Sequence, residues 1–64
     1  PIQLQDVEIL QWAAAGKSTW SIGQLMNLSE SVVRRRLDRV RAALGVATRQ
    51  QAVARAVGLG LIKL

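Results

Sequence analysis

Apolar residues at helical spacing, interrupted by residues that end helices, leave this chain one kind of architecture. Val33, Leu37, Val40 and Leu44 fall at i, i+4, i+7 and i+11, a narrow stripe along one helix. Val7, Leu10 and Ala14 repeat the spacing earlier, with Ile9 and Ala13 widening that stripe. Ile22, Leu25 and Met26 give a short third set, and Ala52, Val53, Ala56 and Val57 a fourth. Between the sets stand Gly16, Asn27 and Gly45, residues suited to the left-handed turn that closes a helix; Gly58 or Gly60 closes the last. No segment alternates with the period of a strand. The chain is therefore expected to be all-α and a single domain over 1–64, with helices at about 4–15, 19–26, 30–44 and 49–57.

The helix starts are marked as well. Asp6 and Glu8 fall in the first turn of the first helix, where its dipole favours negative charge. Ser18 or Thr19 caps the second. Leu28-Ser29-Glu30 reads as a restart, and Thr48 with Gln51 forms a capping box. Gly23 sits on the flank of the second helix, where glycine costs roughly 1 kcal/mol against alanine, which points to close approach of another backbone. Trp12 and Trp20 lie off the apolar stripes. Each is either half-buried against a neighbouring helix or at a contact with a further domain, a second subunit or DNA. The apolar tail Leu59, Leu61, Ile62 and Leu64 is expected to pack back onto the bundle or onto a partner.

Composition excludes most chemistry. The chain has 64 residues, with no Cys and no His. A domain of that size buries only about 60% of its unfolded surface, so its stability is marginal. Disulfides, thiolate and imidazole metal sites, and Ser–His or Cys–His nucleophile pairs are ruled out. Four scattered carboxylates do not make an enzyme, and no cofactor is expected in this domain. No apolar run could span a bilayer core of about 30 Å, and no signal-peptide core is present. A membrane-surface role is disfavoured because a core would claim the narrow stripe of the third helix. The chain opens on Pro1 rather than Met and is expected to be part of a longer protein or a processed form.

Charge is segregated. Residues 1–30 carry Lys17 against Asp6, Glu8 and Glu30, a net −2, whereas residues 31–64 carry eight cations against Asp38, a net +7. A basic half on a small domain points to a polyanion. Five of the cations, Arg34, Arg35, Arg36, Arg39 and Arg41, lie within eight residues of the third helix. That helix follows a short one after a turn of about three residues, the helix-turn-helix plan, in which the second helix of the pair lies in the major groove. With the apolar stripe inward, Arg35 points away from the core and Arg39 lies on one shoulder of the outward face. Ser31, Asp38 and Ala42 share that face. Arg34 and Arg41 point to one side, and Arg36 to the other flank, nearer the core. The guanidinium fork suits guanine O6/N7 and phosphate alike. Arg34, Arg35 and Arg39 are the main candidates for DNA contact, with Arg36 and Arg41 assigned to the backbone. Asp38 is placed to pair with Arg34, Arg35 or Arg41; it either repels phosphate or accepts from cytosine N4. Lys17, Ser18 and Thr19 at the head of the second helix, and Ser29 and Ser31 at the head of the third, are candidate phosphate contacts, with plain capping as the alternative for the hydroxyls.

These residues resemble the LuxR-type helix-turn-helix domain of bacterial transcription regulators. Ile2-Gln3-Leu4-Gln5-Asp6-Val7-Glu8-Ile9-Leu10 stands where that family has Leu-Thr-x-Arg-Glu-x-Glu-Val-Leu. Gln11 to Ser18 with Ile22, Leu28 to Arg34, Leu44-Gly45-Val46, Arg49 to Ala54 and Gly60-Leu61-Ile62 are also similar. Gln11-Trp12 and Gly16-Lys17-Ser18 look most like the quorum-sensing branch. The resemblance implies a four-helix bundle with the third helix as recognition helix, and DNA contact at Arg34, Arg35 and Asp38. It implies a homodimer through the fourth helix at Gln50, Val53, Ala54 and Val57. It further implies RNA polymerase as a partner, an N-terminal regulatory domain that binds an acyl-homoserine lactone, and a bacterial cytoplasmic, nucleoid-associated location. Departures are Val32 for a usual Thr, Arg36 for a usual His, Gln5 for a usual Arg and Ser21 for a usual Glu. Val32 and Asp38 leave an alternative, a degenerate domain that binds protein and has lost specific DNA binding.

Overall fold

Local chemistry starts and stops every helix. In the computed structural model, which describes residues 2–64, the elements are α1 (Leu4–Ala14), α2 (Thr19–Met26), α3 (Glu30–Leu44) and α4 (Arg49–Gly58), with no strand among the described residues. The Gln3 N–H at the head of α1 donates to Asp6 Oδ2 at 2.9 Å. Ser18, not Thr19, caps α2, its Oγ accepting from the Ser21 N–H at 3.1 Å. Ser29 caps α3 through the Val32 N–H at 3.2 Å. Thr48 and Gln51 close a reciprocal box at the head of α4, with bonds of 3.1 and 3.0 Å. Each such cap satisfies a backbone donor that the helix itself cannot, and is worth about 1 kcal/mol. Asn27 ends α2 in the left-handed region, with φ 56°.

α1 and α3 each pack against all three other helices. The core is aliphatic: Ile9, Leu10 and Ala13 from α1, Ile22 from α2, Val33, Leu37, Val40 and Leu44 from α3, and Ala52 and Ala56 from α4. The α3 stripe is buried at all four expected positions. Elsewhere the buried faces differ from the expected ones. In α1 the centre of the face is Ile9, Leu10 and Ala13, while Val7 and Ala14 are half-buried. A helix that serves three neighbours buries a wider arc than a simple stripe. Leu25, expected inside, is 52% exposed. α2 has only eight residues, and its buried positions are Ile22 and Gly23.

Gly23 marks a close approach of α2 to the turn that leads into α3. A Cβ there would stand 2.6 Å from the Leu28 carbonyl oxygen and 3.5 Å from the Glu30 nitrogen. The missing side chain lets α2 seat directly on the start of α3. Trp12 is half-buried against the core, and Trp20 is 60% exposed. The tail returns to the bundle through Ile62, which is buried, while Leu59 and Leu64 stay exposed. Gln11 fastens it, its Oε1 accepting from the Lys63 N–H at 3.2 Å and its Nε2 donating to the Lys63 carbonyl. No described helix is long and apolar enough to cross a membrane.

Candidate nucleic-acid interface

The buried stripe of α3 dictates what its other side presents. Ser31, Arg34, Arg35, Asp38, Arg39 and Ala42 are all exposed. The arginines among and beside them have different partners. Arg35 forms no ion pair among the described residues. Arg34 Nη2 reaches Glu30 Oε2 at 3.2 Å, one turn back along the helix, and its side chain stays 66% exposed. The same Glu30 oxygen accepts from Thr19 Oγ1 at 2.7 Å, so the hydroxyl not used in capping α2 ties the heads of α2 and α3 together. The Thr19 hydroxyl, the largest influence, acts with the Arg34 charge and hydrogen bond to hold the Glu30 carboxyl below its ordinary value against the opposing effect of desolvation.

Arg36 is engaged inward, away from the backbone contact expected of it. Its Nη1 donates to Asp6 Oδ1 at 3.1 Å and to Gln3 Oε1 at 3.2 Å, and its side chain is only 25% exposed. Arg39 Nη2 lies 3.4 Å from Asp6 Oδ2 and keeps 55% of its side chain in solvent. Asp6 is the one buried charged residue among those described. Burial pushes its carboxyl up, but the Gln3 N–H and the two guanidinium groups together outweigh that and hold it below the ordinary aspartate value. Asp38 pairs with Arg41, three residues on, and not with Arg34 or Arg35.

Lys17, Ser18, Ser29 and Ser31 are exposed at the heads of α2 and α3, and Thr19 is partly covered. The Ser29 and Ser31 hydroxyls stand 3.3 Å apart. Of the four α4 positions singled out from the sequence, Gln50 and Ala54 are exposed, whereas Val53 and Val57 are half-buried against the core. Two residues of this region were missed by reading the sequence. The sequence marks Asp6 only as an acid in the first turn of α1, which does not reveal that α3 covers it. Arg49, at the start of α4, carries no sequence signal that places it beside α2, yet its Nη2 donates to the Lys17 carbonyl.

The family described as "Bacterial regulatory proteins, luxR family" matches residues 4–56. Among curated relatives, the HTH-type quorum sensing-dependent transcriptional regulator RpaR of Rhodopseudomonas palustris is 43% identical over 94% of this chain and 25% of its own length. The putative HTH-type transcriptional regulator y4qH of Sinorhizobium fredii is 38% identical over 98% of this chain and 19% of its own length. The transcriptional activator protein LuxR of Aliivibrio fischeri is 34% identical over 91% of this chain and 23% of its own length. The chain thus spans about a fifth to a quarter of the relatives it matches. The match over most of its four helices places it plainly: the chain belongs to the luxR family of bacterial regulatory proteins.

Proposed function

We propose that this chain is the DNA-binding unit of a bacterial transcription regulator, and that α3 enters the major groove of duplex DNA. The observation that carries the reading is the outward face of α3, where Arg34, Arg35 and Arg39 are exposed on the side opposite the buried stripe. A helix about 10–12 Å across fits a major groove about 12 Å wide. Arg35, with no carboxylate partner, is free to offer its fork to guanine O6/N7 or to a phosphate. Arg34 and Arg39 flank it. Arg36 is left out of this set because its guanidinium already serves Asp6. Arg41 and the hydroxyls of Ser18, Thr19, Ser29 and Ser31, with Lys17, set the register on phosphates.

Gln50, Val53, Ala54 and Val57 on α4 pair two copies, so that two recognition helices meet half-sites about 34–36 Å apart. The longer protein carries a regulatory domain for an acyl-homoserine lactone and acts with RNA polymerase in the bacterial cytoplasm, at the nucleoid; the names of the relatives support a regulatory role of this kind. No cofactor takes part, and the chemistry is binding rather than catalysis. One observation favours a second reading, a protein-binding domain: Asp38 puts a carboxylate on the outward face and occupies Arg41.

Binding-site selection from a random duplex pool tests the proposal. Enrichment of a palindromic site, with affinity falling steeply as salt rises, is the expected result. A pool that shows no enrichment, bound with no salt dependence, overturns it.

A further inference from the structure

Arg49 belongs to α4 but faces the cationic side of α2 and α3. It lines a cleft of about 540 Å³ with Ala13, Ala14, Lys17, Ser18, Gln50 and Val53. It also lines a second cleft of about 260 Å³ with Thr19, Arg34, Leu37, Asp38 and Arg41. The guanidinium therefore stands between Lys17 on one side and the Arg34 and Arg41 flank of α3 on the other. Its Nη2 is fixed by the Lys17 carbonyl, and it has no carboxylate partner among the described residues. A guanidinium has five N–H donors, so this tether leaves donors unspent. The first turn of a helix is also an unfavourable place for a cation, because the dipole there is positive. Its position therefore has no local helical cause.

We propose that Arg49 is a phosphate-contacting residue, which carries the DNA footprint off the helix pair and onto α4. One strand would run past Lys17, Arg49 and the Arg34–Arg41 flank, four cations in sequence, along the edge of the first cleft formed by Lys17 and Ser18 and away from Gln50 and Val53. This rests on the reading of the chain as a DNA-binding unit. It adds to that reading a residue outside α2 and α3 that fixes register without reading a base.

The test is the slope of log affinity against log salt for the 64-residue chain on a mixed-sequence duplex. Arg49→Gln keeps an amide donor for the Lys17 carbonyl and removes the charge. It is expected to make the slope shallower by about 0.9, the release of one phosphate's counterion. Arg49→Lys keeps the charge and is expected to retain the parent slope. Arg55→Ala, an exposed cation elsewhere on α4, gives the same change in net charge and is expected to leave the slope alone. An Arg49→Gln slope equal to that of Arg55→Ala overturns the inference while leaving the parent's DNA binding intact. A parent with no salt-dependent binding fails the broader reading instead. If neither Arg49→Gln nor Arg49→Lys folds, Arg49 is a tether only, and the inference falls.

Discussion

α3 is held from two sides by different physics. Toward α2, the contact is backbone against backbone: the absent side chain of Gly23 lets the Leu28 carbonyl come to where a Cβ would be 2.6 Å away. Toward α1, the aliphatic core contact is joined by an ionic one, with a buried Asp6 taking Arg36, Arg39 and the Gln3 N–H. The first is a steric constraint, indifferent to pH and salt. The second responds to both, because it depends on a carboxylate staying ionised. The comparison also sorts the arginines of α3. Those on the α1 side, Arg36 and in part Arg39, are engaged in holding the helix, whereas on the open side Arg34 makes only an exposed pair with Glu30 and Arg35 makes none among the described residues. Equal residue types thus carry unequal roles, decided by whether a carboxylate is buried beside them.

The steric side should break hardest. Gly23→Ala is expected to cost about 3 kcal/mol from overpacking, offset by up to about 1 kcal/mol of better helix propensity, and urea unfolding measures the net loss. A backbone oxygen cannot swing aside as a side chain can, so an unchanged midpoint would mean that α2 does not seat on α3 in this way.

The ionic side should break next. Asp6→Ala is expected to cost about 2 kcal/mol, less than the 3–5 of a fully buried pair, because both guanidinium groups keep access to water. pH sharpens the point. The folded carboxyl of Asp6 titrates below its unfolded value, so its contribution is fully present above about pH 4 and is lost as pH falls through the lower, folded value. The stability gap between the parent and Asp6→Asn should therefore narrow as pH drops from 7 toward 2, in parallel urea titrations. A gap that widens instead would contradict the ion pair.

The smallest effects separate the two flanks of α3. Arg36→Ala is expected to lower stability by about 1 kcal/mol and to leave the salt slope of DNA binding unchanged. Arg34→Ala is expected to do the reverse: under about 0.5 kcal/mol in stability, since its pair with Glu30 is exposed, and a shallower salt slope by about 0.9. Finding both variants equal in both assays would erase the distinction between a structural and a ligand-facing flank.

Much of the fold was legible because it is local. Val33, Leu37, Val40 and Leu44 show their common face through spacing alone, and all four are buried. Asn27, Ser29 and the Thr48–Gln51 box act on backbone groups within four residues, so sequence neighbours suffice to read them. Gly23 was legible as a helix position that needs a reason, and the reason was another backbone. The candidate interface was legible as a set of residues on one helix face. Its division was legible only in part: helix geometry set Arg36 on the flank nearer the core but could not name Asp6 as its partner, and Leu25 looked like core.

The amino-acid sequence determined four helices, their stops and the face of α3 that must go inward, since capping, turn conformation and hydrophobic period operate over a few residues. Only the tertiary structure decided which acid is buried, which arginines it claims and where Arg49 stands. Those outcomes depend on pairs such as Asp6 with Arg36 and Lys17 with Arg49, set 30 and 32 residues apart along the chain. At that separation no local rule fixes a distance, and a charge acquires its role only when packing brings its partner within hydrogen-bonding reach.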